Sequence, residues 1–191
     1  ELEYIFKHAL AHEATYHSIL KQRRQELHVQ VGQCIETLFA DRLEEFYGLL
    51  AYHYAQAEDW EKAQTYLFKA GDQAGHLAAD AEALDYYQKA MAAYEKVFGD
   101  QWEPLERAKL ERKLGEVLFR RGEHEQAIAR LHRALKHLGL VFPQSGWPLY
   151  LAILWQLIRQ VIHRLLPKSF IAPFAVPDTP VDEEVSHIYE L

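Results

Sequence analysis

Apolar residues recur at intervals of three and four along most of this chain. In residues 4–20, Phe6, Ala9, Leu10, Tyr16, Ile19 and Leu20 fall on one helical face. Leu27, Val31, Cys34, Ile35 and Leu38 repeat the pattern, as do Leu43, Phe46, Tyr47, Leu50, Ala51 and Tyr54 within 42–57. Such spacing gathers apolar side chains on one stripe of a helix, and that stripe is expected to be buried. Glu58-Asp59 interrupts the pattern, and a new helix is predicted from Trp60, with acidic groups near its positive end. Helices are predicted over 60–77 and 80–97, the second with Asp80 as its N-cap and Gly99 as its stop. Pro104 suits the first turn of a helix over 104–121, and a turn at Gly122 leads to another over 124–138. Gly139, Pro143, Gly146 and Pro148 mark a break. Beyond it come an apolar helix over about 148–166, a connector with Pro167, Pro173, Pro177 and Pro180, and a helix start at Thr179-Pro180. No stretch alternates with period two for long enough to predict a strand, so the predicted class is all-α.

A second pattern lies inside the first. Gly71, Ala83, Tyr87 and Ala90 have counterparts 44 residues later in Gly115, Ala127, Leu131 and Ala134. A constant self-offset is the mark of a repeat array. Gly and Ala can sit where two antiparallel helices approach closely, and Tyr87 or Leu131 fills the space beside them. One pair cannot bury both of its faces, so pairs are expected to stack. Ala51, Tyr54, Ala63, Leu67 and Ala70 obey the same spacing one helix earlier. Helix 60–77 can therefore close one pair or open the next, and the sequence leaves both readings open. The spacing resembles the tetratricopeptide repeat, with an offset longer than that repeat's usual one of about 34 residues. The expected architecture is an antiparallel helix-pair array, a tetratricopeptide-like α-solenoid.

Composition adds a few limits. An apolar content of 49% is ample for a core and excludes a disordered chain. Cys34 is the only cysteine, so no internal disulfide forms, and a reducing, cytoplasmic setting is expected. Its place beside Val31 and Leu38 predicts a buried, packed thiol. The chain opens with Glu1, its only methionine is Met91 and no signal peptide is visible; it is expected to be a piece of a longer protein. Charge is unevenly spread. Residues 1–104 hold 9 Lys/Arg and 18 Asp/Glu, residues 105–168 hold 12 and 5, and residues 169–191 hold none and 5. The basic block could attract phosphates, but no aromatic-interleaved basic motif accompanies it. Contact with the chain's own acidic tail, or with a neighbouring domain, is the simpler expectation, and no nucleic acid is expected.

The stretch YIFKHALAHEATYHSILKQRRQELH resembles the end of the winged-helix region of STAND-type signal-transduction ATPases. The features that carry the likeness are Phe6-Lys7-His8-Ala9-Leu10, Glu13, Tyr16, Leu20, Arg23-Arg24, Leu27 and His28. LLAYHYAQAEDWEKAQTYLFKAGDQA then resembles the first tetratricopeptide-like helices of the same family. The likeness covers roughly residues 4–140 and continues weakly into HRLLP at 163–167. It implies four regions: 1–40, the end of the winged-helix region and a first helical hairpin; 41–140, the repeats; 141–167, an apolar capping helix; and 168–191, a Pro-rich connector and the start of a further helix. In that family the chemistry belongs to a cyclase or kinase domain and to a nucleotide-binding domain. No G-x4-G-K-[ST] loop occurs here, so no catalytic residue and no cofactor is carried over. The implied role is a non-catalytic protein–protein interaction and regulatory module. Its partner would be a protein or peptide, or other domains of its own chain. Being an integral part of an adenylate cyclase or protein kinase, with no separate partner, is the alternative. Membrane-surface or nucleic-acid binding through 105–168 is a further one.

The remaining chemistry-bearing residues each have a plainer explanation. His8 and His12, four apart with Glu13 adjacent, could share a zinc ion, but no third ligand is indicated. Glu44-Glu45 and Asp182-Glu183-Glu184 lie at helix starts, where negative charge serves structure. The segment 149–167 carries Arg159 and Arg164, which argue against a membrane span. A basic interfacial helix over 149–166 is weighed against ordinary packing on the preceding repeat, and packing is favoured. Tyr47, His53, Tyr54 and Arg120, on the first helices of the pairs, illustrate where a partner would be held.

Overall fold

The computed structural model describes residues 9–99, 101–140, 154–155 and 180–189. The helix predicted over 148–166 lies outside them, apart from Leu154 and Trp155, as does the Pro-rich connector. The described elements are all helical. They fall into two compact units, residues 1–102 and 103–191.

The first unit holds α1 (Ala9–Ser18), α2 (Lys21–Leu38), a 3-10 segment (Ala40–Phe46), α3 (Tyr47–Gln56), α4 (Trp60–His76) and α5 (Asp80–Phe98). Packing runs in chain order: α2 on α3, α3 on α4, α4 on α5. The expected continuous helix over 42–57 is broken, because Arg42 leaves helical geometry at φ −142 and ψ 40. The Phe39 and Phe46 rings stack across this bend, with centroids 4.4 Å apart. Asp59 caps α4, accepting from the backbone N–H of Lys62 at 3.2 Å. Asp80 is instead the first residue of α5, and Ala79 is its N-cap, with no side-chain bond. The second unit holds α6 (Pro104–Arg120), α7 (His124–His137) and α8 (Pro180–Tyr189). Pro104 stands in the first turn of α6, and α8 packs against both α6 and α7.

Three of the connections are the same turn. Each has three residues: Ala57–Asp59, Leu77–Ala79 and Arg121–Glu123. In each, the first N–H donates four residues back, to His53, Gln73 or Val117, and the third donates five back, to Tyr54, Ala74 or Leu118. The middle residue is left-handed: Glu58 at φ 59, Ala78 at φ 55 and Gly122 at φ 80. These paired bonds satisfy the last carbonyls of a helix and reverse the chain within three residues. The third residue's carbonyl then accepts from Ala63, Ala83 or Ala127, which starts the next helix.

The repeat grid sits at these reversals. Ala63, Ala83, Ala90, Ala127 and Ala134 are wholly buried, and Ala51, Ala70, Gly71, Tyr87 and Gly115 are buried with them. Leu131 is half-buried. A methyl group added at Gly71 would meet the Tyr87 ring at 2.6 Å, and one at Gly115 would meet Leu131 at 2.9 Å. The two glycines therefore occupy equivalent positions, each facing the residue 16 places later on its partner helix. In the earlier set Leu50 and Ala51 of α3 are buried, as are Ala63, Leu67 and Ala70 of α4, the helix that packs on α3. Helix α4 both closes the α3–α4 pair and opens the α4–α5 pair. Its Tyr66 stacks on Tyr54 of α3, 5.7 Å between centroids, while its Phe68 meets Tyr87 of α5 edge-on.

One expected buried face is a different face. Leu27, Val31 and Leu38 are 37%, 41% and 74% exposed, and Cys34 is exposed rather than packed. Of the expected stripe only Ile35 is buried, and the side of α2 turned inward carries His28 and Gly32 with it. His28 takes that inner place because it has polar partners there, described below.

Candidate functional site

The first unit carries a cleft of about 420 Å³ bordered by α3, α4 and α5. Its base is made of short residues. Gly48, Ala51 and Ala55 recur along one face of α3, and Ala92 and Ala93 along α5. Leu67 of α4 lies between them. Spacings of three and four put Gly48, Ala51 and Ala55 in one row on α3, and Tyr86, Lys89, Ala93 and Lys96 in another on α5. Gly48 lies directly under Tyr86: a methyl group there would meet the Tyr86 hydroxyl at 2.6 Å. Tyr52, Tyr86 and Trp60 form the aromatic walls. Tyr52 is 52% exposed, so its ring is presented to solvent rather than packed away.

The rim is charged. The Lys96 ammonium stands 3.4 Å from the centroid of the Trp60 ring, a cation–π contact that fixes both groups at the mouth. Lys89 bonds Asp85 at 2.6 Å, one turn apart on α5. An aromatic-walled cleft on a floor without bulk, with mixed charge at its edge, can accept a side chain of a partner segment and orient its backbone. It offers no nucleophile–base pair. Among the described residues, no three His, Cys, Asp or Glu side chains come together to hold a metal ion. His8 lies outside the described residues, as do the side chains of His12 and Glu13.

The four residues expected to touch a partner are scattered. Tyr47 borders a second, shallower cleft of about 350 Å³ with Glu44, Lys69 and Asp72. Arg120 is exposed in the second unit and bonds Glu116 at 2.8 Å. Tyr54 is fully buried, so its side chain is unavailable to a ligand. Its hydroxyl accepts from Lys62 at 3.0 Å, and Lys62 and Tyr66 both donate to Glu36, at 2.7 and 2.6 Å. Burial raises the Glu36 carboxyl, but the hydrogen bonds from Lys62 and Tyr66 outweigh it and hold the group below the usual carboxylate range. This network ties α2 to α4 and belongs to the structure rather than to a site.

His53 also faces inward. Its Nδ1 lies 2.9 Å from Nδ1 of His28, and Nε2 of His28 lies 2.9 Å from the Tyr16 hydroxyl. One hydrogen-bonded line thus joins α1, α2 and α3. Burial pushes both imidazoles below the usual histidine range; the charge of Arg24 adds to this at His28, and His28 adds to it at His53. Sequence reasoning missed His28 because a polar residue breaks an apolar stripe, and missed Tyr52, Trp60, Tyr86 and Lys96 because they lie outside the helix cores. The available signal was the row of small residues at Gly48, Ala51 and Ala55 beside Tyr52.

A turn of three residues, a small residue at each helix crossing and a bulky one beside it define a repeated helix pair. Residues 76–138 match the tetratricopeptide repeat family. The match spans α5, α6 and α7, and the chain contains a tetratricopeptide-like helical region. Tetratricopeptide repeats generally mediate protein–protein interaction. No curated protein and no solved structure matches the chain. Among the described residues, no helix is long and apolar enough to cross a membrane.

Proposed function

We propose that this chain is a non-catalytic interaction and regulatory module in which the cleft of α3, α4 and α5 receives a segment of a protein partner. The observation that carries the reading is the pairing of an aromatic wall, the exposed Tyr52 and the half-buried Tyr86, with a floor of Gly48 and alanines. Apolar rings left in solvent beside a groove without bulk are the usual anatomy of an interface centre. The four-region division of the chain, the cytoplasmic setting and a parent of the signalling-ATPase type belong to the same proposal and rest on the motifs at 4–28 and 49–74.

The test uses the full chain with a photo-crosslinking side chain at position 52. A partner segment crosslinked there in stoichiometric amount, and lost when Tyr86→Glu is added at unchanged helical content, is the expected result. A partner retained equally by the Tyr86→Glu chain refutes the cleft. In a parent ATPase, deleting residues 1–191 is expected to change the response of its hydrolysis rate to that partner, and an unchanged response refutes the regulatory role.

A further inference from the structure

We infer that the outward face of α2 is a self-association surface, and that a second copy of the chain docks on it antiparallel about a two-fold axis. The inference concerns α2 and stands apart from the cleft reading. Leu27, Val31 and Leu38 are 37%, 41% and 74% exposed, and Cys34 is exposed between them. Intervals of four, three and four put these side chains on one straight seam of the helix. Apolar groups left contiguous in solvent mark a surface that another molecule covers. Arg24 continues the seam on one side and Asp41, in the 3-10 segment just past the helix end, continues it on the other. The intervals from Arg24 to Asp41 then run three, four, three, four, three, the same from either end. A two-fold interface is built from one patch that meets itself in reverse order. In that register Leu27 meets Leu38 of the second copy, Val31 meets Cys34 and Arg24 meets Asp41, each contact occurring twice.

Charge selects the occupant and its direction. Lys21 is paired with Glu58, Arg23 with Glu26 and Glu36 with Lys62. Among the described residues neither Arg24 nor Asp41 is in an ion pair. The Arg24 guanidinium lies 3.1 Å from Nδ1 of His17 and 4.8 Å from the centroid of the Tyr16 ring, and Asp41 is exposed. A parallel copy would set Arg24 against Arg24 and Asp41 against Asp41; an antiparallel copy sets each against its opposite. Exposed ion pairs add little affinity, so these choose the direction while the apolar layers supply the attachment. Between Glu26 and Glu36 the helix holds no Lys, Arg, Asp or Glu, so docking strips water from no charge at its centre. The other side of α2 is already taken, with His28, Gly32 and Ile35 buried.

Sedimentation of the full chain under reducing conditions tests the association. The series extends to about 200 µM, because a seam one helix long belongs with the smaller specific interfaces. A monomer–dimer equilibrium is expected, weakened at least about tenfold by Val31→Glu at unchanged helical content. Arg24→Asp is expected to weaken it about threefold or more, and adding Asp41→Arg to restore it. Direction is read by mixing a chain carrying Leu27→Cys and Cys34→Ser with one carrying Leu38→Cys and Cys34→Ser, then oxidising with copper phenanthroline. A disulfide between position 27 of one copy and position 38 of the other is expected. Antiparallel docking holds the two copies of position 27 about 16 Å apart along the axis, beyond disulfide reach. A disulfide joining position 27 to position 27 therefore overturns the pairing. So does a chain that stays monomeric throughout, or a dimer indifferent to Val31→Glu. A monomer whose Cys34 resists a thiol reagent overturns it as well, because a segment of the same chain then covers the seam.

Discussion

The helix pairs α4–α5 and α6–α7 answer the same geometric demand with different materials. Both reverse through a three-residue turn, both place an alanine at the crossing and both bring a glycine under a bulky neighbour. In the first pair that neighbour is Tyr87, whose hydroxyl donates to Asp72 at 2.7 Å. In the second it is Leu131, half-buried and without a polar anchor. The approach of the two backbones is therefore the constant, and the side chain that fills the gap is free to vary. A rigid, tethered ring and a flexible aliphatic chain nevertheless tolerate change differently.

The sharpest way to break this comparison is to add the same methyl group to both glycines. In Gly71→Ala the new carbon meets ring atoms of Tyr87 at 2.6 and 2.7 Å, so the ring must move against its bond to Asp72. A net loss of about 1–2 kcal/mol is expected, the upper range for overpacking a core less the roughly 1 kcal/mol by which alanine favours a helix over glycine. In Gly115→Ala the contact is at 2.9 Å with the end of a leucine, which can turn away, and alanine favours the helix by about 1 kcal/mol over glycine. Little net change is expected there. Equal losses in urea unfolding of the two variants would show that the filler does not matter.

Acid comes next and bears on the first unit. Burial lowers His28 and His53 in the folded chain, so the unfolded chain binds more protons as pH falls through the ordinary value of 6.5. Their contribution is thus full above that value and is lost as pH drops through the lowered folded values. Two protonated rings cannot share one Nδ1–Nδ1 bond, so the loss is expected to open the α2–α3 contact. The double variant His28→Gln, His53→Gln is expected to show a flatter stability profile between pH 7 and 5 than wild type; identical profiles would remove the pair from the account. A smaller effect isolates the tether of the ring: Tyr87→Phe keeps the packing, gives up the bond to Asp72 and is expected to cost about 1 kcal/mol.

The turns supply the finest comparison. Ala78 and Gly122 share one left-handed role, but only glycine adopts it without a steric cost. Ala78→Gly is expected to stabilise by about 0.5–1 kcal/mol, and Gly122→Ala to destabilise by a similar amount. Opposite signs in thermal unfolding support equivalent turns, and like signs refute it.

The small-residue grid was legible in the sequence because it answers a local requirement, the distance between two neighbouring helices. Gly71 and Gly115 declare it by their type and spacing alone. The cleft was not legible, because Tyr52 and Tyr86 become walls only once three helices have packed and left those faces outside. Cys34 misled for a related reason. Helical spacing shows that α2 has an apolar stripe, but the choice between that stripe and its neighbour is made by the hydrogen-bonded line from Tyr16 through His28 to His53. The break at Arg42 and the left-handed Glu58 and Ala78 carry no local signal, since none is Gly, Pro or Asn.

Helix α4 has two clients. Excising it would leave α3 and α5 each with a bare flank, and duplicating it would give one of the copies nothing to lean on. Modules moved between proteins from this region must therefore keep α3, α4 and α5 together, with α2, which Glu36 joins to α4. The natural spacing of any grafted array is set by that shared rod rather than by a self-contained hairpin.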